Sequence, residues 1–399
     1  MASMGSEAFL KRQLKVVLFL LSFLWVLPGF SDPVALVTKL NGEVLRQQKL
    51  HRLSALAVSI SFPNYYILDL HAGSTQINGK RAVGESSLFQ VGSITKSFTA
   101  VTILKLAAQN KIDLDAPLTF YLPQYPKWNQ ITVRQLLNHT SGIFNYTSLG
   151  SFDHIYHSEH NNVHWSPQQI VACAYHRPLS FKPGTSWHYS NTNYILLGMI
   201  IHAVTQRPVG ENFQTYIFGP YHMNHIYYVT NRYPTWLRKY MVHGYYNNVD
   251  KTNINMSWAG SAGALVATSE DLAYWARLLF SGHILPAAQM KEFESVVSHK
   301  TGRKLPSDSL EPGYGLGIKK RYDPNFGDIW YHTGTTTGYS GLYIWVPSQN
   351  IALSILTSKG DFPYKSRMSI ALNLLKIIQN YGKPKNVAWK DRDLFRHFS

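Results

Sequence analysis

Strand-like segments lie at both ends of this 399-residue chain, and helical stretches lie between them. Near the N-terminus, residues 56–61 and 65–70 are rich in β-branched and aromatic side chains, and Pro63-Asn64 between them predicts the turn of a hairpin. The other strand-like runs lie near the C-terminus, at 315–319, 329–332, 341–347 and 351–358. Because strands must share a sheet to bury their apolar faces, this order predicts one discontinuous α/β domain with a helical insertion.

Helical periodicity marks most of the remaining chain. Apolar side chains recur at helical spacing in residues 34–48, 93–109, 269–280 and 366–381. Two more helical stretches, 167–175 and 194–205, lie in a region rich in Asn, His, Tyr and Pro. We therefore predict a signal peptide (1–31), a discontinuous α/β domain (32–118 and 255–382), a helical insertion domain (119–254) and a basic C-terminal tail (383–399).

The N-terminus has the pattern of a secretory signal. Basic residues precede the apolar run 16–27, and Gly29 and Ser31 place small residues at −3 and −1 of a cleavage point after Ser31. A run of 12 residues is shorter than the roughly 20 that a membrane-spanning helix needs, so a retained anchor is the less favoured alternative. The lone Cys173 cannot form an internal disulfide, which suits a bacterial envelope enzyme. We expect a periplasmic or secreted protein, cleaved after Ser31.

The chain is strongly basic, with 38 Lys and Arg against 22 Asp and Glu. It contains no basic stripe interleaved with aromatic residues, no zinc-finger pattern and no recognition-helix pattern, so we expect no nucleic-acid partner. An anionic envelope surface or a substrate with a carboxylate fits the charge better, although the charge could also serve solubility alone.

A serine and a lysine at the start of a predicted helix form the first candidate catalytic pair. Ser93 and Lys96 are three residues apart, so both side chains project from one face. A desolvated lysine can take the serine proton, and the helix N-terminus stabilises negative charge. Without further context, the alternative is an ordinary N-cap serine before a solvated lysine.

A phenol and an amide form the second candidate pair. Tyr189 and Asn191 flank Ser190 just before an apolar helix, where a phenol can relay a proton and an amide can hold a carbonyl. The same Tyr-x-Asn spacing occurs within residues 245–248, but no helix follows there, so Tyr189 is preferred.

The third candidate is the segment from His332 to Thr335 at the end of a strand-like run. Gly334 would let a substrate backbone approach the strand edge, whose amides can stabilise an oxyanion. The competing Lys-Thr-Gly at residues 300–302 lies in a polar stretch, and we interpret it as a surface turn.

In this order, the three motifs resemble those of the serine β-lactamase and penicillin-binding protein superfamily, in its class C-like branch. Further matching phrases are 91–92, 131–142, 189–193, 261–264 and 313–317. The chain is most similar to secreted serine-type D-alanyl-D-alanine carboxypeptidases, which also tend to carry His-Thr-Gly. This resemblance implies a β-lactamase/transpeptidase-like fold, with an antiparallel sheet flanked by helices and an inserted all-helical domain.

The resemblance also implies roles for individual residues. Ser93 is the expected nucleophile, Lys96 its proton acceptor and Tyr189 the acid and base. The expected substrate-binding residues are Asn191, Trp258, Lys319, His332, Thr333, Gly334 and Thr335. The amides of Ser93 and Thr335 would form an oxyanion hole. Lys319 stands where the carboxypeptidases have an arginine, so it offers a point charge rather than a planar fork to a substrate carboxylate.

The expected activity is removal of the terminal D-Ala from peptidoglycan stem peptides through an acyl-enzyme, without metal or cofactor, and β-lactams are expected to acylate the same serine. The alternatives are a carboxylesterase or D-amino-acid peptidase, a class C-like β-lactamase, and a non-catalytic envelope-binding protein. The densest group of metal-ligand side chains is His154, His157, His160 and His164, whose spacing fits no common metal motif.

Overall fold

A computed structural model describes residues 30–150 and 163–382 of the chain. Its strands are β1 (Ala55–Ser61), β2 (Ile67–Gly73), β3 (Phe89–Gln90), β4 (Ile226–Tyr228), β5 (Tyr245–Tyr246), β6 (Val249–Asp250), β7 (Leu265–Ala267), β8 (Val297–Ser298), β9 (Gly313–Tyr314), β10 (Lys319–Asp323), β11 (Gly327–Thr335), β12 (Ser340–Val346) and β13 (Ile351–Thr357). Its α-helices are α1 (Pro33–Leu50), α2 (Thr95–Ala108), α3 (Leu118–Tyr121), α4 (Val133–Leu137), α5 (Pro167–Tyr175), α6 (Asn191–Thr205), α7 (Val209–Phe213), α8 (Thr235–Arg238), α9 (Gly260–Gly263), α10 (Ser269–Phe280), α11 (Ala287–Phe293) and α12 (Tyr364–Asn380).

An antiparallel sheet unites strands from both ends of the chain, as the order of strand-like runs predicted. Its strand order is β2-β1-β13-β12-β11-β10-β9-β8. The N-terminal and C-terminal strands meet where β1 pairs with β13, with Leu56 opposite Thr357. The predicted hairpin turn lies between β1 and β2, although β2 begins only at Ile67 because Tyr65 has a φ of 62° and belongs to the turn.

Helices cover both faces of this sheet, which explains why β1, β12 and β13 are buried along their whole length. On one face, α1 and α12 pack against alternate residues of the strands, such as Val58 and Ile60 of β1. The Asp32 carboxylate accepts a hydrogen bond from the Ala35 amide at 2.9 Å and so caps α1. On the other face lie α10 and α2. The expected antiparallel sheet with flanking helices is confirmed.

The segment 119–254 contains the helices α4 to α8 joined by long loops, and α5 has the bounds that the sequence predicted. The expectation that this segment is all-helical is corrected, because it contains β4, β5 and β6. β4 pairs with β7, which lies beyond the predicted boundary at residue 255, and β7 also pairs with β3. A small three-stranded sheet therefore links the two parts, and the proposed division into domains stays a prediction.

The strand predicted at 315–319 is wrong in its bounds. Residues 315–318 form a tight link between β9 and β10, in which the Gly315 amide donates to the Ile318 carbonyl at 2.7 Å. Gly317 has a φ of +89° and packs against Ala100 of α2, where a β-carbon would collide with the Ala100 side chain. A left-handed glycine ends a strand, and periodicity alone does not reveal its conformation.

Some predictions fall outside the described residues. These are the signal segment up to residue 29, the tail 383–399, and the histidines His154, His157 and His160. Phe30 is buried against Phe62 and bridges to Gly382, so the predicted cleavage after Ser31 would remove this contact. Within 30–150 and 163–382, we find no helix with the length and hydropathy to span a membrane.

Candidate active site

Ser93 and Lys96 lie at the junction between a short 3-10 turn, Gly92–Ile94, and α2. The Thr95 hydroxyl donates to the Gly92 carbonyl at 2.7 Å and accepts from the Leu265 amide of β7 at 3.1 Å. These bonds fix the start of the helix against a neighbouring strand. As a result Ser93 remains partly exposed at the turn, whereas Lys96 is fully buried one turn later.

The Lys96 amine contacts three oxygen atoms. Its Nζ lies 3.0 Å from Ser93 Oγ, 2.7 Å from Asn191 Oδ1 and 2.7 Å from the Ala262 carbonyl oxygen. Burial, reinforced by the charge of Lys319, holds the pKa of Lys96 well below its ordinary value. Burial thus favours the neutral amine right beside the Ser93 hydroxyl.

Tyr189 and Asn191 reach the same point from the start of α6. The centroid of the Tyr189 ring is 4.9 Å from Lys96 Nζ. The Asn191 amide side chain is oriented at both ends, because Oδ1 accepts from Lys96 while Nδ2 donates to Thr147 Oγ1 at 3.0 Å. The Asn191 backbone amide also donates to Asn145 Oδ1 at 3.0 Å. The structure therefore brings together the serine, amine, phenol and amide that the sequence singled out.

The end of β11 runs directly against the turn that carries Ser93. A β-carbon at Gly334 would lie 1.7 Å from the Val91 carbonyl oxygen and 3.2 Å from the Ser93 amide nitrogen. A β-carbon at Gly92, where φ is +52°, would lie 2.7 Å from the Thr335 amide nitrogen. Glycine at both positions lets the two backbones touch, which places the amides of Ser93 and Thr335 near one another, as an oxyanion hole requires.

Arg367 of α12 supports this strand from behind, although no motif in the sequence indicated it. Its guanidinium is buried and donates hydrogen bonds to the carbonyl oxygens of Gly334 and Gly341. Burial lowers the pKa of Arg367 to about 10. An arginine inside an amphipathic helix looks like a surface residue in sequence, so only its burial reveals the contact.

His332 is placed differently from the other predicted substrate-binding residues. Its ring is fully buried, with Nε2 3.0 Å from the Tyr314 hydroxyl and Nδ1 2.8 Å from the Thr333 carbonyl oxygen. Burial, then the charge of Lys319, holds the pKa of His332 well below its ordinary value. His332 thus supports the strand as a neutral ring, and a direct contact of His332 with substrate stays a prediction.

Lys319 and Thr333 form a polar pair on neighbouring strands. The Lys319 amine donates to Thr333 Oγ1 at 3.4 Å. Lys319 is only partly exposed, and burial, with the nearby charge of Arg367, lowers its pKa to about 8. The pair offers an ammonium and a hydroxyl beside the strand end that carries Gly334.

A narrow cleft opens in front of Ser93, with Asn191, Trp258, Tyr146 and Thr335 in its walls. The space inside is only about 20 Å³, close to the room for one water molecule. The Tyr146 hydroxyl donates to the Trp258 carbonyl at 2.5 Å. Trp258 and Tyr146 are therefore walls of the cleft. Binding of a substrate by Trp258 stays a prediction, and Tyr146 was not indicated by the motifs.

The two competing motifs lie elsewhere. Tyr245 belongs to the β5–β6 pair, and its hydroxyl accepts from the Ile77 amide at 3.0 Å. The Lys-Thr-Gly at 300–302 forms a turn, yet this turn is more than surface. A β-carbon at Gly302 would lie 2.4 Å from the Ser186 carbonyl oxygen, so the turn packs against the loop that carries Tyr189.

The described part of the chain holds no group of three or more His, Cys, Asp or Glu side chains arranged to bind a metal ion. The chemistry available at Ser93 is that of a hydroxyl, two amines, a phenol and backbone amides. Such a set suits nucleophilic acyl transfer.

Comparison with known families agrees with this geometry. The family model described as "Beta-lactamase" matches residues 44–374. The chain belongs to the beta-lactamase family. Among curated relatives, penicillin-binding protein 4* of Bacillus subtilis (strain 168) is 26% identical over 336 residues, which cover 80% of this chain and 72% of that protein. The protein flp of Staphylococcus aureus (strain COL) is 27% identical, and the match spans 56% of its length.

Two solved structures align with most of this chain. The D-stereospecific amidohydrolase from Streptomyces sp. is 29% identical with a TM-score of 0.69, covering 86% of this chain and 98% of its own. The D-amino acid amidase from Ochrobactrum anthropi SV3 is 25% identical with a TM-score of 0.75, covering 87% and 99%. The expectations of the superfamily and of a serine hydrolase are thus confirmed, and the class C-like branch stays a prediction.

Proposed function

We propose that this serine hydrolase removes the C-terminal residue from peptides ending in D-Ala-D-Ala, through an acyl-enzyme on Ser93. The observation that carries the proposal is the contact set of Lys96. A neutral amine has two N–H groups and one lone pair. The acceptor atoms Asn191 Oδ1 and Ala262 O take the two N–H groups, which leaves the lone pair for the hydroxyl of Ser93. Lys96 then acts as the general base.

The remaining steps follow from the surroundings of Ser93. Ser93 Oγ bonds to the carbonyl carbon of the penultimate residue while its proton passes to Lys96. The amides of Ser93 and Thr335 stabilise the oxyanion. The C–N bond then breaks as Tyr189 protonates the leaving amine, and a water molecule later hydrolyses the ester and restores the serine. The closeness of Tyr189 to Lys96 supports proton exchange between them.

The carboxylate of the substrate distinguishes this reaction from simple amide hydrolysis. Thr333 lies near the end of β11 and Lys319 at the start of the neighbouring strand β10, beside the strand edge on which a substrate backbone would align. An ammonium and a hydroxyl suit a terminal carboxylate, which a peptide ending in D-Ala carries and an amino acid amide lacks. This pair favours the carboxypeptidase over the amidase.

The second candidate is hydrolysis of D-amino acid amides. The printed names of the two solved relatives favour it, since one is a D-amino acid amidase and the other a D-stereospecific amidohydrolase. The narrow space in front of Ser93 agrees with a small substrate. A β-lactamase or a carboxylesterase could use the same residues, so substrate assays must separate them.

We further propose that the enzyme acts outside the cytoplasm, on peptidoglycan stem peptides, and that β-lactams acylate Ser93. The predicted signal at 1–31 and the net charge of +16 support an exported protein in contact with an anionic envelope surface. The predicted export, the basic charge and Lys319 all support cell-wall peptides that end in D-Ala-D-Ala as the substrate.

The test is the intact mass of the protein after incubation with a penicillin, run beside D-Ala release from a dipeptide-terminated donor and ammonia release from D-phenylalanine amide. Ser93→Ala is the negative control. A lasting adduct on the wild type alone, with D-Ala release, is the expected result. Ammonia release without D-Ala release would move the assignment to the amidase. Rapid loss of the drug without an adduct would indicate a β-lactamase.

A further inference from the structure

A histidine outside the three motifs occupies an unusual place in the fold. His139 follows α4 and has a φ of +63°. The Thr140 amide reaches back to the Gln135 carbonyl at 3.0 Å, so His139 occupies the left-handed position that closes a helix C-terminus. Glycine is the usual residue there because a side chain is strained at positive φ. A fully buried histidine at this position therefore calls for a use of its side chain.

That use is visible in the loop carrying Tyr189. The His188 amide donates to the His139 carbonyl oxygen at 3.1 Å, and the Ser190 amide donates to His139 Nδ1 at 3.3 Å. One residue thus accepts the peptide N–H on each side of Tyr189. The centroid of the imidazole also lies 4.4 Å from that of the Tyr189 ring. His139 therefore fixes the backbone on both sides of Tyr189 and also contacts the Tyr189 ring.

The hydrogen bonds also define the protonation state of this ring. A peptide N–H can only donate, so Nδ1 must present a lone pair to Ser190, and the neutral ring carries its proton on Nε2. Burial holds the pKa of His139 well below its ordinary value. Among the described residues, His139 Nε2 has no hydrogen-bond partner. The useful polar atom of the side chain is therefore Nδ1 alone.

We propose that His139 is a positioning residue that holds the Tyr189 phenol in place for proton transfer to the leaving group. This proposal rests on the proposed role of Tyr189 as the general acid. A phenol free to swing would still leave Ser93, Lys96 and the oxyanion amides intact. The loss of kcat/KM in a His139 variant should therefore be larger for a substrate whose leaving group must be protonated.

Two substitutions separate the acceptor atom from the rest of the ring. His139→Asn keeps an oxygen near the position of Nδ1, and asparagine tolerates the left-handed backbone. His139→Ala removes the acceptor. His222→Ala is a matched control, because His222 is an exposed histidine with a φ of 51°. The assay compares kcat/KM for an amide and a p-nitrophenyl ester of one D-amino acid.

For His139→Ala we expect the amide to lose about 10²-fold in kcat/KM and the ester less than about tenfold, because nitrophenolate leaves without a proton. The loss for the amide should lie in kcat, and His139→Asn should recover most of it. Tyr189→Phe should show the same pattern as His139→Ala. Equal losses for both donors, or no recovery with asparagine, would mean that His139 only supports the fold.

Hydrogen exchange of residues 183–190 gives a readout that needs no turnover. His139→Ala should speed exchange of the His188 and Ser190 amides, and His139→Asn should keep Ser190 protected. Unchanged exchange in His139→Ala would overturn the proposal whatever the substrate. If the wild type cleaves neither donor while exchange changes as expected, the proposed activity fails but the positioning of Tyr189 by His139 stands.

Discussion

Gly334→Ala tests whether close contact between β11 and the turn at Ser93 creates the oxyanion site. The added β-carbon would lie 1.7 Å from the Val91 carbonyl oxygen, against the 3.0 Å below which real β-carbons essentially never approach another atom. Both sides of this contact are backbone, so no flexible side chain can yield. The strand must therefore move away from the turn by about 1.3 Å, the difference between these distances.

The cost can be worked from this displacement. Moving β11 separates the Thr335 amide from the Ser93 amide, which amounts to losing one of two oxyanion donors. Loss of one such donor typically lowers kcat by about 10²–10³-fold, and a misplacement of about 1 Å has a similar effect. We expect kcat/KM to fall by about 10²–10³-fold, or about 3–4 kcal/mol of transition-state stabilisation. Overpacking should cost a further 1–3 kcal/mol, roughly, of folding free energy.

The assay is the rate of acylation by a chromogenic ester, with circular dichroism and thermal melting to show that the variant is folded. Gly42→Ala is the matched control, since a β-carbon at Gly42 in α1 meets nothing within 4 Å. It should leave acylation unchanged and raise stability by about 1 kcal/mol. A folded Gly334→Ala variant that retains kcat/KM within about threefold of wild type would refute the oxyanion role of this contact.

Two further predictions concern stability. Burial raises the pKa of Asp271 to about 7 from an ordinary 3.8, so its protonated form favours the folded state and stability falls as pH rises from about 4 to 7. Asp271→Asn keeps an oxygen for the His225 amide, so in urea melts it should be more stable than wild type by about 4 kcal/mol at pH 8 and equal to wild type near pH 4. Equal stability at pH 8 would contradict this. Arg367→Met removes two hydrogen bonds from a buried guanidinium to the Gly334 and Gly341 carbonyls and should cost about 3 kcal/mol in the same assay. A loss below about 1 kcal/mol would show that these contacts contribute little to stability.

Helices and strands with a clear hydrophobic periodicity could be predicted from the sequence, and so could the residues that carry the reactive groups. The bounds of α5 and α10 match their patterns because caps and apolar stripes are local signals. The strand predicted at 315–319 failed because Gly317 takes a positive φ, which depends on the close approach of α2. The short strand β4 was missed because a strand of three residues is too short to show a hydrophobic periodicity.

The residues that hold the reactive groups in place could not be predicted as easily. Ser93, Lys96 and Tyr189 were indicated because the three motifs together, in this order, resemble those of a known superfamily, whereas each spacing alone has other uses. His139, Tyr146 and Arg367 act through burial and backbone contacts, which a sequence does not display. A histidine after a helix C-terminus, where glycine is expected, is the one local signal that could have indicated His139.

The proposed chemistry requires two amines near each other in opposite protonation states. Lys96 must be neutral to accept the Ser93 proton, whereas Lys319 must be charged to bind a carboxylate. The structure distinguishes them by burial, since Lys96 is fully enclosed and Lys319 is partly exposed with a pKa of about 8. His139 and His332 remain neutral and add no further positive charge.

In this arrangement, the pKa of the base Lys96 depends on Lys319, the residue proposed to bind the substrate carboxylate. The charge of Lys319 helps to lower the pKa of Lys96, so Lys319→Met should raise that pKa and move the acidic limb of the pH profile of acylation to higher pH. The measurement uses a neutral p-nitrophenyl ester, because binding of this donor does not need Lys319. Lys39→Met, an exposed change on α1 with the same loss of charge, should leave the profile in place. An acidic limb that stays fixed in Lys319→Met would mean that Lys96 is not the group whose deprotonation activates Ser93.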